Sequence, residues 1–93
     1  KDTFRFLHLG SFVEKKGVPD LVRAFIEAFR DRTDVELVLV GGGLDMDKVK
    51  KIVKENPNSK VIIRGPVSSE LIWDEFRNAD VFVLNSRMDS NGA

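Results

Sequence analysis

Short apolar runs alternate with segments of helical period along the whole chain, and few folds accept that pattern. The runs are Phe4 to Leu9, Val35 to Val40, Val61 to Ile63 and Val81 to Leu84. Between them apolar residues recur three and four positions apart: Leu21, Val22, Phe25, Ala28 and Phe29, then Met46, Val49, Ile52 and Val53, then Leu71, Ile72, Phe76 and Ala79. Such spacing predicts helices, the first over about Pro19 to Arg30. Pro19 suits a first-turn position and Asp20 the helix dipole. Asn56-Pro57 closes the second helix, and Ser68 or Ser69 caps the third. Only Glu36 interrupts the second apolar run, which predicts a strand buried on both faces.

The alternation predicts an α/β fold of three layers, a parallel sheet with helices on both faces. Right-handed crossovers carry strands one, two and three toward one edge. Strand four, returned to the far side of strand one, makes the order 3-2-1-4, a Rossmann-like sheet. Its winding reverses between strands one and four, where ligands bind in such sheets. The loops expected there are Gly10–Gly17 and Asn85–Gly92, the two most unusual in the chain.

In the first of these loops, Lys16 beside Gly17 has two readings. One is a point charge on a phosphate, with backbone amides and the following helix dipole aligned to it. The other is a solvated lysine in a polar loop. Gly41-Gly42-Gly43 lacks both the Walker spacing and the Gly-x-Gly-x-x-Gly pattern, and reads as a turn that needs positive φ. Asp45 and Asp47 have the acidic-x-acidic form of a metal site, but at a helix start they also favour the dipole. His8, mid-strand and expected to be buried, makes no nucleophilic triad with Ser86, and Trp73 reads as a packing residue. Lys48, Lys50, Lys51 and Lys54 lie off the apolar face of their helix and read as solvated surface.

Composition narrows the classes. The 93 residues suit one domain, and 42% hydrophobic with 32% charged residues describes a globular chain. Lys plus Arg equals Asp plus Glu at 15 each, which argues against a nucleic-acid partner. With no cysteine and one histidine, neither a disulfide scaffold nor a Cys- or His-built metal centre is available. No apolar run is long enough to cross a bilayer and no signal peptide is present, so a cytoplasmic location is expected. The start without methionine and the stop after a loop signal suggest a piece of a larger protein.

Four stretches in order resemble the group 1, retaining glycosyltransferases of GT-B architecture, in their C-terminal donor-binding domain. Leu9-Gly10 with Lys16-Gly17 is similar to the family's Gly-Arg…Lys-Gly loop, followed by its helix at Leu21 to Phe29. Val35 to Gly43 resembles the second strand and glycine turn. Val61 to Ser68 resembles the third strand and the turn beneath the base, and Ala79 to Gly92 the fourth strand and acidic-glycine loop. The match spans residues 1–93 but only about half to two-thirds of the family's domain.

The resemblance implies a nucleotide diphosphate sugar as donor, with no metal and no other cofactor. Gly10, Ser11, Lys16 and Gly17 would hold the diphosphate, and Gly65, Pro66 and Val67 would offer backbone to the base. Asp89, Ser90, Asn91 and Gly92 would face the sugar, with Lys16 and Asp89 the catalytic pair. Ser11 stands where the family has an arginine, and Asp89 where it has a glutamate. The second glutamate of the family's pair would fall beyond Ala93, and the acceptor-binding domain is missing, so the chain alone is expected to be inactive. The alternative is a small flavodoxin-like or receiver-like binding module without transferase activity. In either case a bare apolar edge at strand four predicts self-association.

Overall fold

The computed structural model describes residues 3–10, 17–43 and 45–83. In chain order the elements are β1 (Phe4–Leu9), α1 (Val18–Ala28), β2 (Val35–Val40), α2 (Met46–Lys54), β3 (Val61–Gly65), α3 (Ser69–Asn78) and β4 (Val81–Phe82). The four strands form one parallel sheet in the order β3-β2-β1-β4, as the alternation predicts. Paired residues run Phe4–Val35 through Leu9–Val40 between β1 and β2. Between β2 and β3 the register slips after Leu39–Ile63, so that Arg64 is an extra residue and Gly65 faces Val40.

One face of the sheet carries α1 and α2 over the main core. There Val18, Val22 and Phe25 of α1 and Val49 and Ile52 of α2 close over Val35, Leu37, Leu39 and Val61. Phe6 of β1 stacks on Phe25 and Phe29 at ring separations of 6.1 and 5.6 Å, and those two rings lie 5.1 Å apart. The strand period of two sends Leu7, Val38 and Val40 to the opposite face, with Leu9, Ile62, Val67 and Ala79 packed around them.

α3 covers that second face by different means. None of its residues is buried. Its Glu75 carboxylate instead reaches two strands, accepting from Arg64 Nε at 2.9 Å and lying 3.9 Å from Arg5 Nη1. Arg5 also pairs with Glu36, its neighbour in register across β1 and β2. Glu36 is thus an ion-pair member on the α3 side, while Val35, Leu37 and Leu39 face α1 and α2.

Several local expectations need correction. α1 stops at Ala28, short of Arg30, where Phe29 leaves helical geometry with its amide still bonded to Phe25 O. Ser68 holds the N-cap position of α3 in an extended conformation, but its side chain makes no cap bond. β4 is shorter than Val81–Leu84: it ends at Phe82, and Leu84 lies outside the described residues. Trp73 is not a core packing residue: it is 62% exposed and leans on Phe76 with ring centroids 6.0 Å apart.

Candidate functional site

The carboxyl ends of β1, β2 and β3 meet in a ladder of backbone bonds. Gly10 N–H donates to Val40 O at 3.0 Å and Gly41 N–H to Gly65 O at 2.9 Å. Gly41 has a φ of 126°, and a Cβ there would lie 1.9 Å from the Gly10 carbonyl oxygen. Only glycine admits this approach of the first two strand ends. A turn needing positive φ was legible in the sequence; the reason for it, the Gly10 carbonyl, was not. Gly65, with a φ of 76°, turns the chain out of the β3 irregularity, and its own Cβ would meet nothing within 4 Å.

Above this ladder lies an open concavity of about 300 Å³, bounded by Leu9-Gly10, Val40–Gly42, Pro66-Val67 and Ile72 of α3. Of the residues expected to bind a donor, Gly10, Pro66 and Val67 line it together. Gly65 stands just behind, its carbonyl accepting from Gly41. Pro66 has no N–H, so the nearby backbone groups are the Val67 amide and the carbonyls. A larger hollow of about 350 Å³ lies between the ends of α1 and α2, around Ile26, Arg30, Asn56 and Ser59. It is remote from the strand ends where this topology places a ligand, so the smaller concavity is the candidate site.

Gly17 is the N-cap of α1, and the helix opens with Val18 and Pro19 buried and with no side-chain cap bond. Ser11, Lys16, Asp89, Ser90, Asn91 and Gly92 lie outside the described residues.

His8 sits directly under the site and is buried, as expected. Its Nδ1 lies 3.2 Å from Val83 O. A carbonyl only accepts, so Nδ1 carries the proton and Nε2 is left as an acceptor. Nε2 is also the nearest atom, at 3.9 Å, to where a Cβ on Gly10 would stand. Burial pushes the His8 pKa below its ordinary 6.5, with the Val83 bond opposing in part. His8 thereby links the end of β1 to the residue following β4, a connection that sequence spacing could not reveal.

The two aspartates at the start of α2 have different surroundings. Asp45 is buried at the N-cap and Asp47 exposed in the first turn. Among the described residues no group of three or more His, Cys, Asp or Glu side chains is placed to hold a metal ion. No helix among them is long and apolar enough to cross a membrane. Lys48, Lys50, Lys51 and Lys54 are all exposed on α2.

Known proteins resemble this chain in sequence and fold. The chain is 26% identical over 92 residues to the alpha-monoglucosyldiacylglycerol synthase of Acholeplasma laidlawii, a match over 98% of this chain and 23% of that protein. It is 23% identical over 87 residues to an uncharacterized glycosyltransferase of Methanocaldococcus jannaschii, over 92% of this chain and 22% of that one. The chain thus spans under a quarter of the length of these relatives. Among solved structures, the catalytic domain of cholesterol-alpha-glucosyltransferase from Helicobacter pylori superposes with a TM-score of 0.71 at 22% identity, over 85% of this chain and 48% of that one. A pneumococcal O-GlcNAc transferase in complex with UDP and GlcNAc gives 0.69 at 18% identity, over 88% and 16%. These likenesses show the fold. The family model of the group 1 glycosyl transferases matches residues 3–93, nearly the whole sequence, and the chain belongs to that family.

Proposed function

We infer that this chain is the donor-binding portion of a retaining glycosyltransferase, with a nucleotide diphosphate sugar laid across the carboxyl edge of the sheet. The observation that carries the reading is the concavity over Gly10, Gly41 and Pro66-Val67, in a member of the group 1 family. Along the order β3-β2-β1-β4 the assigned loops run base, glycine turn, diphosphate and sugar, which is the covalent order of such a donor. Three inter-strand gaps span roughly 14 Å, a length that suits the ligand. The concavity covers the base-to-diphosphate part of that path.

In this reading Val67 and the neighbouring carbonyls meet the base, behind which Gly65 makes the turn. Gly10, Ser11, Gly17 and the α1 N-terminus surround the diphosphate, and Lys16 stabilises the charge that develops on it as it departs. Serine at position 11 supplies no guanidinium fork, so Lys16 carries more of that task. Asp89 and the backbone of Ser90, Asn91 and Gly92 face the sugar. Support for a nucleotide diphosphate comes from the pneumococcal structure, which holds UDP on a similar fold. The chain spans too little of its relatives to supply an acceptor site, so the 93 residues bind donor without transferring it, and the reading implies a cytoplasmic protein.

Isothermal calorimetry with UDP, GDP and their sugars tests this. Binding with Kd of about 1 mM or tighter, weakened at least about tenfold in Lys16→Ala, is the expected result. No heat at several times that concentration overturns it. So does binding that Lys16→Ala leaves unchanged.

A further inference from the structure

β3 leaves the sheet through an irregularity at Arg64, the extra residue beside the Leu39–Val40 step of β2. Such a bulge re-aims whatever follows it. Here Gly65 turns the chain with a φ of 76°, and Pro66 and Val67 come to line the concavity. Ile72 of α3 forms another part of the wall. Neither piece is fixed by deep apolar packing. Pro66 is exposed, Val67 and Ile72 are half-buried, and α3 contributes no buried residue.

One ion pair joins the two pieces. Arg64, directly before Gly65, donates from Nε to Glu75 Oε2 at 2.9 Å. Glu75 stands three positions after Ile72, on the same side of α3. Its side chain is 14% exposed, so water competes for this bond less than for an open surface pair. The other oxygen, Oε1, is buried and lies 3.9 Å from Arg5 Nη1, with no hydrogen bond among the described residues. A carboxylate buried in that half-satisfied way costs the fold about what it returns. An apolar side chain would serve stability equally well, and Arg5 would keep Glu36 as its partner.

We propose that Glu75 is a positioning residue for the base of the donor nucleotide. Through Arg64 it fixes the bulge of β3, and so sets the Pro66-Val67 backbone and Ile72 at the spacing the base enters. The proposal rests on the donor reading above and adds the group that shapes its base subsite. Glu75 does not line the concavity and touches no ligand itself. A wall ordered in advance spares the ligand the cost of ordering it, which corresponds to roughly three- to tenfold in affinity. The diphosphate, assigned to the β1 and α1 side, does not use this wall.

Calorimetry of the 93-residue chain with UDP, GDP and inorganic pyrophosphate tests the assignment. Glu75→Met should unfold at no lower urea concentration than the unsubstituted chain. Its Kd for the tighter-binding nucleotide should rise about three- to tenfold, while that for pyrophosphate stays within about twofold. Arg64→Met should lose as much, and the double variant no more than either single change, because both act through one bond. Glu75→Gln keeps an acceptor for Arg64 and should retain most of the affinity. Unchanged nucleotide binding in Glu75→Met overturns the proposal, as do equal losses for nucleotide and pyrophosphate or additive losses in the double variant. A markedly lower urea midpoint for Glu75→Met overturns it too, since the residue then holds the fold. If the unsubstituted chain binds pyrophosphate as tightly as either nucleotide, the base subsite falls and the diphosphate assignment stands. If it binds neither nucleotide, the donor reading itself falls, and this proposal with it.

Discussion

The two faces of the sheet are held by different forces. Against α1 and α2 the sheet presents Val35, Leu37, Leu39 and Val61, and nine buried apolar residues form one cluster. Against α3 only Leu7, Val38 and Val40 are buried, and Arg5, Glu36, Arg64 and Glu75 bridge the rest. Apolar burial is non-directional and adds up with area, whereas a half-buried ion network nearly cancels its own desolvation. The first face therefore provides most of the stability. The second sets where α3 lies, and with it Ile72 and the rim of the candidate site. A fold divided this way fails differently depending on which side is cut.

The largest effect should come from Leu39, which is fully buried against both helices. Leu39→Ala should cost about 2–5 kcal/mol, a large share of what a small domain has, measured by urea unfolding. The ionic face should respond less, and in a way that depends on what replaces it. Arg5→Met leaves Glu36 and Glu75 half-buried without their shared cation and should cost about 1–3 kcal/mol. Replacing Arg5, Glu36 and Glu75 together by methionine or leucine should recover most of that loss, since apolar packing substitutes well for such a network. If the triple replacement were worse than Arg5→Met, the account of the α3 face would be wrong.

This division also explains what could be read in advance. Crossover rules set strands one, two and three in sequence, because every apolar run was long enough to identify, and the order 3-2-1-4 followed once strand four was returned to the far side of strand one. Glu36 looked like an interruption within a strand, and its meaning needed the β1–β2 register that sets it beside Arg5. Trp73 was misread because helical spacing says which residues share a face, not how much of that face the sheet covers. On α3 the Glu75 carboxylate reaches the sheet and Ile72 is half-buried, while Leu71 and Trp73 stay exposed. Gly10, Pro66 and Val67 were legible as loop residues at strand ends, and their meeting in one concavity follows from the parallel topology. Lys16 and Asp89 fall outside the described residues: the role expected of Lys16 comes from its loop at the winding reversal and from the family resemblance, that of Asp89 from the resemblance alone.

His8 joins the comparison through pH. Burial depresses its folded pKa below 6.5, so the unfolded chain binds the proton first as pH falls. The stabilisation is fully present above about pH 6.5 and is lost as pH drops through that value toward the lower folded pKa. The slope should not exceed about 1.4 kcal/mol per pH unit. His8→Gln should remove this slope from stability measured between about pH 5 and 7. An unchanged slope would assign it to other groups.

The smallest expected effect is also the cleanest contrast, because it repeats the Leu39 substitution on the other face. Leu71 is 51% exposed on α3 and belongs to neither buried cluster. Leu71→Ala deletes the same atoms but opens no cavity, and alanine is the better helix former. Stability of the monomer, measured at low concentration, should shift by no more than about 0.5 kcal/mol. If Leu71→Ala were as costly as Leu39→Ala in the monomer, α3 would be packed as tightly as α1, and the two faces would not differ in kind.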